Sequence, residues 1–117
     1  MEDKRIGNLL FTDKCDIVGF KALTTDKTLL GEVIFQIVDL EQFTVRYLAV
    51  KRATNPKIYL IPAELLIDLE DDDLLIELSG EKVKDLLPLP ENWENVFNRS
   101  FEEKIYHALK TLPYWHN

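Results

Sequence analysis

The chain has 117 residues, 46% hydrophobic and 30% charged, which is typical of one globular domain and excludes a disordered, fibrous or low-complexity protein. Its formal net charge is −7, because 9 basic and 8 acidic residues lie in residues 1–60, and 5 basic and 13 acidic residues in 61–117. This acidic second half would repel a polyanion, so we expect neither direct nucleic-acid binding nor binding to an anionic membrane.

One cysteine and the lack of long apolar runs bear on the location of the protein. Cys15 cannot form an internal disulfide, and a lone thiol cannot build a zinc or iron–sulfur site. The chain has no apolar run near the ~18 residues of a spanning helix, and its first residues lack the apolar core of a secretory signal. We therefore expect a cytoplasmic protein without membrane insertion.

The first half of the chain reads as a series of β-strands. An apolar patch at residues 9–11 and strand-forming residues 16–23 precede a polar turn at residues 24–28. Apolar runs at residues 32–40 and 44–50 then predict a hairpin. Because polar and apolar residues alternate only partly in these runs, both faces need cover, and a small closed barrel with a helix over it would supply that cover.

The second half continues the sheet and ends in helices. We predict a short strand at residues 58–61, ended by Pro62, and an acidic hairpin formed by residues 65–70 and 74–78. A short helix is predicted at residues 81–87. The main helix is predicted at residues 101–110, where Ser100 and Glu103 have the spacing of a capping box. Its apolar stripe consists of Phe101, Ile105, Ala108, Leu109 and Leu112.

Several phrases of the chain lie at turns and strand ends. They are Ile17-Val18-Gly19-Phe20, Leu30-Gly31-Glu32-Val33, Val38-Asp39-Leu40-Glu41 leading to residues 45–50, and Ile61-Pro62 before the acidic hairpin. Together they resemble the PRC-barrel family, which is named after the cytoplasmic domain of the photosynthetic reaction-centre H subunit and includes the C-terminal domain of a ribosome-maturation factor. The resemblance covers roughly residues 9–88, and the ending Pro113-Tyr114-Trp115 looks like that of some bacterial members.

The resemblance implies a mainly β fold, a small barrel of about six strands with a C-terminal α-helix packed on it. Residues 1–88 would form the PRC-barrel-like domain, and residues 89–117 a linker and the amphipathic helix. The resemblance also implies a non-enzymatic adaptor, because family members dock onto other proteins or stabilise assemblies and share no catalytic signature.

Two turns depart from the family pattern. The first hairpin turn has Asp26-Lys27 where family members often have Asp-Gly, and the next turn, residues 41–44, has no glycine. Because Lys27 and Phe43 cannot adopt a positive φ cheaply, we expect these turns to be longer or of another type.

Two groups of residues are candidates for interaction. Trp93, Phe97, Tyr114 and Trp115 bracket the main helix, where they either pin it to the barrel or anchor an interface, including one with a second copy in a homodimer. The other group is Glu70, Asp71, Asp72 and Asp73. Adjacent carboxylates in a tight turn cannot all point at one ion, so we interpret these four as a solvated turn and a negative docking spot.

The sequence gives little support for a metal site or a catalytic site. Glu103 and His107 have i, i+4 spacing, but no third metal ligand is visible and a solvated helix pair explains the spacing. We predict no catalytic residue, no cofactor and no metal. The leading hypothesis is a protein-interaction module, homodimeric and with an unidentified protein partner. The alternatives are a small-ligand or ion-binding barrel, with the ligand between barrel and helix, and a ribosome-assembly factor.

Overall fold

The structure is a computed structural model that describes residues 3–116. It contains eight β-strands and two α-helices. The strands are β1 (Lys4–Ile6), β2 (Leu9–Thr12), β3 (Lys21–Leu23), β4 (Leu29–Asp39), β5 (Thr44–Arg52), β6 (Ile58–Pro62), β7 (Leu66–Glu70) and β8 (Asp73–Ile76). The helices are α1 (Trp93–Val96) and α2 (Arg99–Ala108), with short 3₁₀ helices at Ala63–Leu65, Gly80–Asp85 and Tyr114–His116.

Strand β4 is the centre of the sheet. One of its edges pairs with β5 in antiparallel fashion, and β5 pairs with β6. Its other edge pairs with two short strands, β2 near its C-terminal end and β3 near its N-terminal end. This is possible because β4, with eleven residues, is longer than β2 and β3 together. The β2 branch ends in β1, and the β3 branch continues through a parallel pair with β8 to β7.

The mainly β fold with a C-terminal helix is confirmed, but the sheet differs from the predicted barrel in two ways. It has eight strands rather than about six, because the chain also pairs in short segments such as β1. It is also not closed. Within residues 3–116, the free edge of β6 has only an isolated bridge between Tyr59 and Pro88, and no strand pairs with the free edge of β7.

The core lies between the sheet and the C-terminal segment. Along β4 the side chains of Val33, Phe35 and Ile37 are buried at every second position, as expected for a strand with one face on the core. The Phe11 ring stacks on Trp93 with their centroids 4.6 Å apart, and Phe97 meets Phe11 edge-on at 4.9 Å. The segment after the sheet therefore closes the core with aromatic side chains.

The prediction of a strand over residues 16–23 is wrong for its first five residues. The backbone forms turns there, in which the Phe20 N–H donates to the Ile17 carbonyl oxygen at 3.0 Å. Gly19 has φ of 95°, a value that other residues rarely adopt. The glycine therefore ends the turns, and β3 begins only at Lys21.

The two glycine-free turns are longer than a two-residue hairpin turn, as expected, since residues 24–28 join β3 to β4 and residues 40–43 join β4 to β5. The expectation that Lys27 and Phe43 avoid a positive φ is wrong, because their φ values are 63° and 52°. Local hydrogen bonds hold both turns. The Lys27 N–H donates to the Thr24 carbonyl oxygen at 2.8 Å, and Thr24 donates through its own N–H to Thr28 at 2.9 Å. In the second turn Asp39 Oδ1 accepts from the N–H groups of residues 41 and 42 at 2.9 and 3.2 Å. These bonds offset the cost of a positive φ.

Helix α2 differs from its prediction at both ends. Its N-cap is Asn98, whose side-chain oxygen accepts from the Phe101 N–H at 2.9 Å, whereas Ser100 lies inside the first turn. The helix ends at Ala108 because Lys110 has φ of 54° and the Thr111 N–H returns to the Tyr106 carbonyl oxygen.

The buried face of α2 also differs from the predicted stripe. Glu102 and Tyr106 are buried beside Ile105 and Leu109, while Leu112 is 72% exposed beyond the end of the helix. Because the helix ends at Ala108, before the predicted end at residue 110, the chain turns away and Leu112 does not continue the apolar stripe.

Candidate functional site

Strand β7 forms an open, apolar edge of the sheet. All five of its residues are exposed, and Leu66, Ile67 and Leu69 retain 39%, 53% and 52% of their accessible surface. Edge strands are usually protected by charge, short length or a covering segment. Here three large apolar side chains lie on a strand that no strand of the described chain pairs with on its outer side.

The two leucines of β7 extend the apolar core beyond the part that the rest of the chain covers. Leu69 lies opposite Leu74, and Leu66 opposite Ile76, in the antiparallel pair of β7 and β8. Directly opposed residues point their side chains to the same face of a sheet. Leu74 and Ile76 are buried in the core, so Leu66 and Leu69 lie on the core side of the sheet and are half covered.

The surroundings of this edge are acidic. Residues 58–80 include seven Asp and Glu residues and no Lys, Arg or His. The predicted carboxylates Glu70, Asp71, Asp72 and Asp73 lie at the β7–β8 turn, where Asp71 has φ of 54°. Lys27 approaches them from the β3 side, lining with Glu70 and Asp73 a depression of about 110 Å³.

One carboxylate of β7 bonds to the backbone of its own strand. Asp68 Oδ1 accepts a hydrogen bond from the Leu69 N–H at 2.8 Å. Glu70 and Asp73 flank a two-residue turn, so they form a hydrogen-bonded pair and the next pair, Leu69 and Leu74, is a non-hydrogen-bonded pair. The Leu69 N–H therefore points away from β8, to the free edge of β7. Asp68 therefore caps the donor that an additional strand would use.

The four predicted aromatic residues are divided between two places. Trp93 and Phe97 are buried against Phe11 in the core of their own chain. Tyr114 and Trp115 are half-buried in the last 3₁₀ helix, where both rings contact Tyr106. The C-terminal arm, which we define as this last 3₁₀ helix (Tyr114–His116), thus packs on its own chain.

Two arginines lie over the terminal aromatic pair. The Arg46 guanidinium lies 3.9 Å from the centre of the Tyr114 ring, and that of Arg99 lies 4.0 Å from the Trp115 ring. Cation–π contacts at this distance stabilise an exposed pair by about 0.5–1 kcal/mol. They hold the arm against β5 and α2.

A buried carboxylate that was not predicted from the sequence joins the arm to the sheet. Glu102 is only 3% exposed, and its Oε1 accepts from the hydroxyls of Tyr47 at 2.7 Å and Tyr114 at 3.0 Å. Arg99 Nε lies 3.9 Å from the other carboxylate oxygen. Spacing was the available signal, because Glu102 lies three and four residues before Ile105 and Tyr106, on one helix face.

Burial alters the acidity of the tyrosines around this carboxylate. Burial, together with the negative charge of Glu102, raises the pKa of Tyr114 to about 12. The same two causes raise the pKa of Tyr47 much further. The pKa of Tyr106 is also raised, first by burial and then by a hydrogen bond with Glu64. All three hydroxyls are therefore neutral donors over the ordinary pH range.

A cleft opens between the sheet and the helix beside this cluster. It has a volume of about 330 Å³, and its polar lining includes Asp39, Arg99, Glu102 and Tyr114. Asp39 pairs with Arg46 through two contacts of 3.2 and 3.3 Å. Burial alone would raise the pKa of Asp39, but hydrogen bonds from the Gln42 N–H and from Arg46 outweigh burial and lower it.

The remaining predicted features are on the surface. Glu103 and His107 are exposed on α2, and the described residues contain no group of three side chains suited to hold a metal ion. Among residues 3–116 no helix is long and apolar enough to span a bilayer. Phe43, at the tip of the β4–β5 hairpin, is 87% exposed, and it was not among the interaction residues predicted from the sequence.

Comparison with known proteins identifies the family. None of the curated proteins matches the chain. The family model described as the PRC-barrel domain matches residues 13–83, which is more than half of the chain and includes β3 through β8. The predicted resemblance is thereby confirmed, and the chain belongs to the PRC-barrel domain family.

Proposed function

We propose that this chain is a non-enzymatic, cytoplasmic protein-interaction module that binds a partner protein at the edge of β7. The observation that carries the proposal is the exposure of Leu66, Ile67 and Leu69 on a strand whose outer edge is unpaired. Apolar area on a strand edge favours association with another chain, so its retention is explained if a partner covers it.

The other two ends of the sheet support this assignment by contrast. Strand β1 has only three residues and begins with exposed Lys4 and Arg5, which oppose edge-to-edge pairing. Strand β6 is largely buried, and the bridge between Tyr59 and Pro88 lies along its outer edge. Of the three ends in the described chain, β7 is the one that combines exposure with apolar side chains.

The predicted homodimer is a further part of the proposal and involves another surface. Phe43 is a large apolar side chain at a hairpin tip, away from β7 in the strand order. Burying it in a second copy would remove most of its apolar area from water, and aromatic side chains dominate binding energy at interfaces. Sedimentation of the wild type and Phe43→Ser tests this. A monomeric wild type would contradict the dimer.

The cleft between sheet and helix supports a second candidate function, the binding of a small polar ligand. Its lining brings Arg99, Asp39 and Tyr114 towards one space of about 330 Å³, within the usual size range of ligand sites. Soaking crystals with a panel of small amines and carboxylates tests the idea. Density confined to other sites would contradict it.

The test of the interaction module compares three proteins as bait in extracts of the source cells. The double variant Leu66→Ser with Leu69→Ser removes apolar area from the edge. The control, Leu112→Ser, removes a leucine outside the sheet that is even more exposed, at 72%. We expect the wild type and the control to retain the same partner at physiological salt and the double variant to lose it.

Circular dichroism establishes that the baits are folded. Both leucines are half exposed, so we expect the double variant to unfold within about 2 kcal/mol of the wild type. Equal capture by the folded double variant would contradict the proposal, as would the absence of any specific partner.

A further inference from the structure

We propose that the occupant of the β7 edge is an extended segment in which basic residues alternate with apolar ones, added to the sheet as a ninth strand. This inference rests on the proposed interaction function and specifies the chemistry of the partner. Strand addition uses the free backbone groups of an edge for affinity and alternate side chains for specificity.

The two faces of β7 determine the alternating pattern. Leu66 and Leu69 are on the core side, as their partners Ile76 and Leu74 show, and they can share that side although three residues apart because the register shifts between Leu66 and Asp68. Side chains alternate along a strand, so Asp68 and Glu70, the neighbours of Leu69, point to the opposite side. Along the regular part of β7, residues 68–70, an added strand would therefore place an apolar side chain against Leu69 and its neighbouring side chains beside the carboxylates of Asp68 and Glu70. Cations at those positions would pair with the carboxylates.

Asp68 gives a second reason for a basic partner. Its carboxylate accepts the Leu69 N–H at 2.8 Å, and that donor must be released before a new strand can bond to it. A released carboxylate beside a newly buried edge would lose a hydrogen bond as well as water, and such a loss is most unfavourable for a charged group. A Lys or Arg on the incoming strand supplies the replacement donors.

The same charges argue against a second copy of this chain at the edge. Pairing β7 with β7 would bring Asp68 and Glu70 of both chains together, and directly opposed like charges destabilise a strand pair. Residues 58–80 of the second copy have no basic side chain to compensate, and its Lys27 already lies beside its own Glu70 and Asp73. Nucleic acid is excluded at this edge by the same repulsion.

The experiment uses ten-residue peptides and the complete chain labelled with ¹⁵N. The probe alternates lysine and valine. One control alternates glutamate and valine, and the other is the lysine–valine peptide with N-methyl groups on every second amide, which keeps its charge but removes half of its backbone donors. We expect the probe alone to shift the amide signals of β7 and to slow hydrogen exchange of the Leu69 amide at least about tenfold.

Two edge variants and one control variant complete the test. Leu69→Pro removes the capped N–H at an edge position, where proline is tolerated, and should abolish binding of the probe. Asp68→Asn should weaken binding roughly tenfold and reduce its dependence on salt. Leu112→Ser should bind as the wild type does.

Three results would overturn the inference. They are equal binding of the N-methylated peptide, equal binding of the glutamate peptide, and self-association of the wild type that Leu69→Pro abolishes. If the peptides fail while partner capture still depends on Leu66 and Leu69, the interaction function stands and the partner has a different chemistry. If capture does not depend on these leucines, the proposed function itself fails.

Discussion

The hydroxyl of Tyr47 donates a 2.7 Å hydrogen bond to Oε1 of Glu102, which lies fifty-five residues later in the chain. Tyr47 belongs to β5 and Glu102 to the first turn of α2, and both side chains are buried. The same carboxylate oxygen accepts the hydroxyl of Tyr114. A single carboxylate therefore joins the sheet, the helix and the C-terminal arm.

Removing either partner of this pair should destabilise the fold. Tyr47→Phe would leave a buried carboxylate with one donor fewer, and Glu102→Gln would weaken both bonds, so we expect each change to lower the free energy of unfolding by about 1–3 kcal/mol. The free-energy loss of the double variant should be less than the sum of the two single losses, because both changes act on the same hydrogen bond. Urea unfolding followed by circular dichroism measures these values.

The matched control is Glu103→Gln, which changes the neighbouring, exposed carboxylate. It should alter the free energy of unfolding by less than about 0.5 kcal/mol. Equal losses for Glu102→Gln and Glu103→Gln, or strictly additive losses for the double variant, would mean that the buried bond contributes little.

The raised pKa of Tyr114 predicts a loss of stability at alkaline pH. In the folded chain the pKa is about 12, against an ordinary value of 10.0, so the folded state holds the proton more tightly than the unfolded state. The resulting stabilisation is complete below pH 10.0 and is lost as the pH rises from there to about 12. Tyr114→Phe should therefore show a shallower decline of unfolding free energy in this interval.

Trp115 offers a local readout of the same event, because its ring contacts that of Tyr114 at 4.9 Å. Trp93→Phe leaves Trp115 as the remaining tryptophan, and in that background its emission should change over the same pH interval. A decline that is just as steep in Tyr114→Phe would assign the titration to other groups.

Phe43 is predicted to limit stability. Its φ of 52° is a conformation that a bulky residue adopts at a cost, and its exposed ring has little packing to lose. In protein dilute enough to be monomeric, we expect Phe43→Asn to raise the free energy of unfolding by about 0.5–1 kcal/mol, since asparagine tolerates positive φ. Gln42→Asn, at the adjacent position, should bring no gain. A lower free energy of unfolding for Phe43→Asn would contradict this prediction. It would show that packing of the Phe43 ring, or the local hydrogen bonds of the turn, outweighs the backbone strain.

Gly31 is predicted to be intolerant of any side chain. A Cβ atom there would overlap the carbonyl oxygen of Lys51 on β5 and approach a Val50 methyl group to 2.9 Å. Gly31→Ala should therefore separate the β4–β5 pair locally and cost about 2–4 kcal/mol of unfolding free energy. Gly80→Ala is the control, because its Cβ would meet only the flexible end of Asp26, at 3.1 Å. A loss equal to that of the control would show that the strands can move apart freely.

Much of the fold was predictable because it depends on local patterns. The hairpin of β4 and β5 follows from two neighbouring apolar runs, and α2 follows from apolar spacing near 3.6 residues. The exact ends of α2 were not predictable. Asn98 and Ser100 are both good N-caps, and Lys110 replaces the glycine that usually marks a helix end.

The candidate site was predictable only in part. The acidic turn at Glu70–Asp73 was visible in the sequence, but its neighbours Leu66 and Leu69 read as ordinary strand residues of a closed barrel. The aromatic set was visible as well, yet no local pattern distinguishes Trp93, which stacks on Phe11, from Trp115, which covers the end of the helix. In both cases the exposure of the side chain depends on contacts with residues that are distant in the sequence.

The mainly β class, the family and the acidic second half can be predicted from the residues, because alternation, turn residues and charge are properties of neighbours in the chain. The position of β7 at the end of the sheet and the half exposure of Leu66 and Leu69 follow from the tertiary structure, since exposure depends on whether a distant strand pairs with that edge. The tertiary structure also decided the role of Glu102. A glutamate in a first helical turn is usually solvated, and here the hydroxyls of Tyr47 and Tyr114 compensate for its burial.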